Sequence, residues 1–399
     1  MVGKMCLARA AIRDNVSSCM VNTTAQLKEV VKHAAAEAGF ELAGIAPVAD
    51  FAEHRRFPGW IAEKRAGEMH YLEARDGGGN LKRASLASVA PWTRSVVVCA
   101  MNYHAIPATR SARFAFRASV SRKPEGRADA YADSVPAPLA HRAHGWISRY
   151  AWSQRDYHDV VMESLRRVET ALRHAAGYEL ETRCYVDTGP MIERVYARYA
   201  GIGWTGKNTC TINQQIGSYL FLGVILTSVE LSPDLPAPDR CGSCTRCLDA
   251  CPTQAFTGPY QMDASRCISY LTIEKRGSIS EDLRAGMGRQ VFGCDICQDV
   301  CPWNREAPVT TLPDFQPRPK LVNPALLWLA TITQEEFSRV FLGSPVKRAK
   351  RTGVRRNAVI AMGNSGNPEF IPLLRELARD PDECVADHAR WAIEQLQKE

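Results

Sequence analysis

Cys241-x2-Cys244-x2-Cys247-x3-Cys251-Pro252 and Cys294-x2-Cys297-x3-Cys301-Pro302, with Cys267 between them, gather eight of the chain's fourteen cysteines into one span. The first run has the bacterial ferredoxin spacing, in which three thiolates wrap one iron–sulfur cluster and the fourth, followed by proline, reaches across to another. With eight thiolates the ligand count closes at two 4Fe–4S clusters. The second run lacks its upstream member, and Cys267 is the natural stand-in, displaced by an insertion. On the crossing rule, Cys241, Cys244, Cys247 and Cys301 hold one cluster, and Cys251, Cys267, Cys294 and Cys297 hold the other. Zinc is the nearest alternative, because repeated C-x2-C pairs also suit a tetrahedral site of four sulfurs. A zinc ribbon, however, uses two pairs of thiolates and has no need of a proline after each run.

The rest of the chain bounds what surrounds this module. It has 399 residues, 45% of them hydrophobic, and no continuous apolar run near the roughly 18 residues of a membrane span. Two or three domains and no membrane segment are expected. Cysteines crowded into cluster spacing, rather than paired along a short secreted domain, point to a reducing compartment. The first residues carry Arg9, Arg13 and Asp14 without a signal-peptide core or a twin-arginine pair. A cytoplasmic protein is therefore expected, with residues 1–22 an unstructured leader or the product of a start placed too early.

From 23 to 230 the pattern is mixed. Leu27, Val30, Val31, Ala34 and Ala35 recur at helical spacing, and Phe40–Ile45, Ser95–Met101 and Leu220–Leu226 read as strands. Helical stretches at His158–Ala175 and Met191–Ala200 alternate with them, which predicts an α/β or α+β catalytic domain. Residues 104–145 interrupt it with Arg110, Arg113, Arg117, Arg122, Lys123, Arg127 and several prolines, as a basic flexible insertion would. Residues 231–310 hold the ferredoxin-like two-cluster module. Over 311–399 the pattern is helical, with Phe370, Ile371, Leu373, Leu374 and Leu377 on one apolar face and Val385, Ala389, Ala392, Ile393 and Leu396 on another, similar to a short HEAT-like array. Ahead of it, Lys347, Arg348, Lys350, Arg351, Arg355 and Arg356 follow one another with no acid between them. Such density suits a solvated helix face; on a repeat scaffold it favours a nucleic-acid backbone as partner.

The segment Val186-Asp187-Thr188-Gly189-Pro190 is a polar turn between an apolar run and a helix, followed by Gly201-Ile202-Gly203-Trp204-Thr205-Gly206-Lys207-Asn208. Glycines, a proline and a carboxylate ahead of a helix start suggest backbone pressed against a large ligand. A nucleotide phosphate loop is excluded, since neither G-x4-G-K-S/T nor a well-placed G-x-G-x-x-G occurs. Asp187 also suits a plain helix cap.

Taken in order, Arg149-Tyr150-Ala151, Asp156-Tyr157-His158, Val186–Pro190, Gly203–Asn208, Gly217-Ser218, the cysteine runs, Arg266–Tyr270 and Arg348-Ala349-Lys350-Arg351 resemble the epoxyqueuosine reductases, from about residue 25 to the end. The resemblance implies a cobalamin-dependent, two-cluster enzyme acting on tRNA, built of a cobalamin-binding catalytic domain, a ferredoxin-like domain and HEAT-like helices. Its reaction would remove the epoxide oxygen of epoxyqueuosine, the last step of queuosine formation. An external low-potential donor of flavodoxin or ferredoxin type would charge one cluster, and the other would reduce cob(II)alamin towards cob(I)alamin. By match to the family motif, Asp187 protonates the alkoxide that forms. Tyr150, Thr188, Gly203, Lys207, Asn208 and Ser218 would surround the corrin. The basic run Lys347–Arg356 would hold the anticodon stem-loop through its phosphates. A monomer is expected.

Some residues depart from this pattern or stand beside it. Trp152-Ser153-Gln154-Arg155 precedes Asp156 where the family is shorter and carries a glycine. His70 suits a cofactor pocket or a structural role, and Cys99, Cys184, Cys210 and Cys384 read as buried small hydrophobes. Two rival readings share parts of the chemistry. A cobalamin- and cluster-dependent reductive dehalogenase is disfavoured by the missing twin arginine and the basic helical tail. A non-catalytic electron carrier would leave the upstream domain without use.

Overall fold

The computed structural model describes residues 23–106 and 142–398. The expected leader and residues 107–141 of the basic insertion lie outside these residues. Thr23 caps α1 (Thr24–Glu37) in a reciprocal box with Gln26, and the chain turns into β1 (Leu42–Pro47). With β2 (Ser95–Asn102), β3 (Thr182–Tyr185) and β4 (Leu220–Thr227) it forms one sheet in the order β1-β2-β4-β3. Every pair is antiparallel, which decides for α+β over α/β. All eight positions of β2 are buried because helices cover both faces of the sheet. Val97, Cys99 and Met101 pack with α1 and α2 (Tyr157–Ala176), while Val96, Val98 and Ala100 pack with α3 (Glu193–Tyr199). Gly44 permits the second contact, since a Cβ there would lie 2.0 Å from the carbonyl oxygen of Ala200.

A second core gathers elements far apart in sequence. Trp146, Ile147, Ala151 and Trp152, just ahead of α2, pack with α4 (Ile268–Ile273), the strand Gln290–Phe292 and the helices α5 (Leu326–Thr331), α6 (Lys350–Gly363) and α7 (Glu383–Lys398). The cysteine-bearing segment and the C-terminal helices thus share one interior. Among the described residues no helix is long and apolar enough to cross a membrane.

The shared interior corrects the reading of six exposed cations. Every position of α6 from Gly353 to Gly363 is buried, so a cation there must find partners inside. Arg356, 1% exposed, donates to the carbonyls of Leu271, Lys275 and Gly277, and the adjacent Asn357 donates to those of Thr272 and Val291 at 2.9 and 2.8 Å. Arg355, 6% exposed, donates to Ala330 and pairs with Asp380 at 2.5 Å. Arg356 stitches the helices to the cluster segment, Arg355 ties the helices to one another, and neither presents its charge to a polynucleotide.

The two cores meet at Arg149, which is 1% exposed. Its Nη1 stands 3.1 Å from Asp295 and 2.7 Å from Asp299, two residues of the second cysteine run. The guanidinium lies over the rings of Tyr219 and Trp146, at 4.9 and 5.5 Å from their centroids. Removing it would strand two buried carboxylates. Arg149→Met is expected to destabilise the fold by about 3–5 kcal/mol, read from anaerobic chemical denaturation; a loss below about 1 kcal/mol, the range of surface pairs, would show that the network is not structural.

Candidate active site

The cysteine runs fold back on each other into two groups. Cys241, Cys244 and Cys247 come together with Cys301; burial, then the negative charge of these neighbours, pushes the Cys247 thiol up to about 11. This outer group sits on a surface loop, with Gly242, Ser243, Thr245 and Arg246 exposed. The inner group, Cys251, Cys267, Cys294 and Cys297, lies on the wall of a cavity of about 1060 Å³. Burial, then Cys267, raises the Cys294 thiol well above its ordinary range. Such thiols are held as thiolates by bound iron, whose positive charge offsets their repulsion.

The cavity wall also carries the acid. Asp187 lies in the left-handed region, with φ 59°. It is no helix cap, because α3 begins only at Glu193, behind Ile192. The turn is held from outside by Arg83, whose Nη1 donates to the carbonyls of Gly189 at 2.5 Å and Met191 at 2.8 Å. Gly189 lies close over Tyr185; a Cβ would come within 2.8 Å of that ring. From α2, the Tyr157 hydroxyl donates to Asp187 Oδ2 at 2.8 Å, and its ring stacks on Phe221 of β4 at 4.3 Å. Burial, reinforced by the charge of Asp187, raises the Tyr157 phenol well above its ordinary range and keeps it a donor. Burial alone would lower His158, but its contact with Asp156 at 2.8 Å raises it on balance. Glu193 also lines the cavity; burial pushes its carboxyl up to about 7, and its Oε1 is buried without a hydrogen-bond partner among the described residues. A ligand with polar groups would satisfy it.

Of the residues expected around a corrin, Tyr150, Thr188 and Asn208 lie on this wall, whereas Gly203, Lys207 and Ser218 do not. Gly203 is pressed against its own hairpin, where a Cβ would stand 2.3 Å from the Ile212 carbonyl oxygen. The Lys207 ammonium donates instead to Gly242 and Cys244 in the outer cysteine loop, at 2.6 and 3.0 Å. Ser218 docks the second run, exchanging hydrogen bonds with Asn304 at 2.7 and 2.8 Å and accepting from Gln298. His70 is exposed beside Glu73 and does not line the cavity. Cys210 is no inert core residue, for it lies on the cavity wall against Cys297. Of the basic run, Lys347, Arg348 and Lys350 are exposed and border the cavity, and Arg351 is half-buried, donating to Ile332. Sequence reading assigned no role to Arg83, Glu193 or Tyr71. Tyr71 lies near the guanidinium groups of Arg83 and Arg348, at 5.9 and 5.4 Å, and nothing in its sequence neighbourhood signals that contact.

A paired-cluster module whose inner cysteines open onto a cavity bearing a positioned acid defines a cluster-dependent oxidoreductase. Known proteins agree. Residues 240–304 match the 4Fe-4S double cluster binding domain, and residues 83–188 match the family described as epoxyqueuosine reductase QueG, DUF1730. The chain is 39% identical to the epoxyqueuosine reductase of Pseudomonas aeruginosa, covering 92% of this chain and 94% of that one, and 36% identical to that of Escherichia coli K12, covering 93% and 89%. A crystal structure of a selenomethionine-labelled epoxyqueuosine reductase superposes with a TM-score of 0.77 at 30% identity, over 94% of this chain and 91% of that one. One solved with an epoxyqueuosine-modified tRNA-Tyr stem loop gives 0.76 at 30% identity and the same coverage. The chain belongs to the epoxyqueuosine reductase family.

The grouping is tested by iron content. Cys267→Ala is expected to lower iron from about eight to about four per chain, as loss of one four-iron cluster should, in anaerobically reconstituted protein. Retention of the full iron content would remove Cys267 from the ligand set.

Proposed function

We propose that this chain reduces the epoxide of epoxyqueuosine in tRNA to give queuosine, with cobalamin in the cavity between the inner cysteines and Asp187. The observation that carries the reading is that one cavity is lined at once by Cys251, Cys267, Cys294 and Cys297, by Asp187, and by Lys347 and Lys350. Its volume of about 1060 Å³ is at the upper end of small-molecule sites, which suits a macrocycle. Asn208, Thr188 and the unpartnered Glu193 oxygen would meet the amide groups of a corrin, and Leu220, Phe221 and Ile296 would supply apolar wall. The stem-loop complex of a relative supports the substrate.

Cobalamin bound there supplies a low-valent cobalt centre able to open the epoxide. Clusters held by the cysteines would carry the electrons, and the chain's own groups the protons. Cys241, Cys244, Cys247 and Cys301 would hold the cluster nearest the exposed loop, where a carrier of flavodoxin or ferredoxin type would dock, and Cys251, Cys267, Cys294 and Cys297 would hold the one on the cavity wall. Removing the epoxide oxygen as water consumes two electrons and two protons. Asp187, entering as the carboxylic acid, gives one proton to the alkoxide and solvent supplies the other, while the Tyr157 hydroxyl donates to one carboxyl oxygen and leaves the other to face the substrate. The C-terminal helices form a HEAT-like platform whose exposed lysines engage phosphates. A cytoplasmic monomer completes the reading.

Asp187→Ala should keep its iron and its corrin yet lose roughly 10²–10⁴-fold in turnover on epoxyqueuosine-containing tRNA, the worth of a positioned acid. A wild-type rate would dismiss Asp187 as the proton donor. Lys347→Ala with Lys350→Ala should weaken stem-loop binding and flatten its salt dependence by about one unit of log–log slope per lysine. An unchanged slope would place the phosphates elsewhere.

A further inference from the structure

Lys207 and Asn208 are neighbours in sequence, yet they reach different cluster loops. The Lys207 ammonium, on a side chain 9% exposed, donates to Gly242 and Cys244 in the outer loop at 2.6 and 3.0 Å; Asn208 donates to the Cys297 carbonyl of the inner group at 3.3 Å. The partners of Lys207 are carbonyls, so its positive charge is not cancelled by the groups it binds. The outer loop's own acid, Asp239, accepts from the Cys241 amide at 2.7 Å but is exposed and screened by water, whereas the acids beside the inner group are buried. Asp295 lies between Cys294 and Cys297, 1% exposed, and it and Asp299 share the single guanidinium of Arg149, which leaves that buried network one negative charge in excess, while Arg194 faces Cys210 from the cavity wall.

Charges in low-dielectric protein act strongly on a cluster whose own charge changes by one on reduction. A cation favours the reduced form and an anion disfavours it. The two buried charges therefore push the two clusters apart in potential, in the direction that matters for electron entry. We propose that Lys207 tunes the outer cluster, making it the easier of the two to reduce, while Asp295 makes the inner cluster the stronger reductant. Each arriving electron is then captured at the surface: the donor is oxidised by one electron and the outer cluster reduced by one. It moves inward only as the inner cluster is drained at the cavity, the outer cluster being reoxidised as the inner is reduced. This rests on the two cluster groups alone and not on the identity of the substrate.

The test is a dithionite redox titration, followed by electron paramagnetic resonance, of the anaerobically reconstituted full chain without corrin or RNA. Cys267→Ala identifies the outer cluster's signal. Lys207→Gln keeps the hydrogen-bond donors and removes the charge; Lys207→Arg keeps both. In the Gln variant the outer midpoint is expected to move negative by at least tenfold in the reduction equilibrium, about 59 mV for one electron. The inner midpoint should move less, and the Arg variant should stay at the wild-type values. An outer midpoint that does not move, equal movement of both clusters, or an Arg variant that follows the Gln variant would each overturn the proposal. Should Lys207→Gln lose its outer iron, Asp295→Asn decides. A positive movement of the inner midpoint relative to the outer sustains the charge asymmetry, and its absence sinks it. None of these readouts depends on turnover, so failure of the substrate reading would leave them intact.

Discussion

The joint between the sheet domain and the second cysteine run depends on one buried guanidinium. Arg149 belongs by sequence to the catalytic domain, and the two carboxylates it holds belong to the cysteine run. Desolvating three charges is costly, and the arrangement is tolerable only because further donors complete it. The Trp146 indole, the Ser148 hydroxyl and the Arg149 amide all reach Asp295, and the Tyr219 hydroxyl reaches Asp299. Burial raises the Asp299 carboxyl to about 6 even so. A network this demanding has one satisfactory geometry, and that geometry fixes the inner cysteines relative to the cavity. Such rigidity is what short-range electron delivery needs.

The same economy explains why the residues between the cysteines are not filler. In the run from Cys294 to Cys301, Asp295, Gln298 and Asp299 all dock on the catalytic domain, through Arg149, Ser218 and Tyr219. A free-standing ferredoxin could leave those positions to solvent. Here they form the joint, which disfavours reading the module as an independent carrier.

Legibility in the sequence followed the range of the physics. Ligand spacing is local, and the structure sets Cys247 beside Cys241, Cys244 and Cys301, and Cys294 beside Cys251 and Cys267. Long apolar runs are also local, and Ser95–Met101 and Leu220–Leu226 lie within β2 and β4. Strand direction was not legible, since an antiparallel sheet buried on both faces has the same apolar runs as a parallel one. Nor was the direction of side chains in a tight turn. Gly203, Lys207, Asn208 and Ser218 all sit in motif-like surroundings, but only Asn208 faces the cavity, because a turn wedged between two cluster loops sends successive side chains to opposite sides. The cations failed for a related reason. A charge count cannot see that carbonyls near residue 275 and a carboxylate at Asp380 wait to receive Arg356 and Arg355.

The division of that basic run carries a further consequence for recognition. Lys347 and Arg348 lie in a single 3-10 turn over Pro345–Ala349, and Lys350, the first residue of α6, breaks from it with φ 62°, so the three project ahead of the buried part of that helix. Arg348 is pinned by Glu274 through contacts at 3.0 and 3.2 Å and stands over Tyr71. Its charge is thereby partly spent within the protein, and its plane is fixed. The ammonium groups of Lys347 and Lys350, exposed at the cavity edge, are then the proposed phosphate contacts among the described residues, and they are few. Phosphate contacts position a polynucleotide without reading it. A small fixed set beside the cavity, rather than a stripe along the helices, would locate one nucleotide over Asp187 and leave the rest of the stem weakly held, which is what an enzyme acting on a single modified base requires.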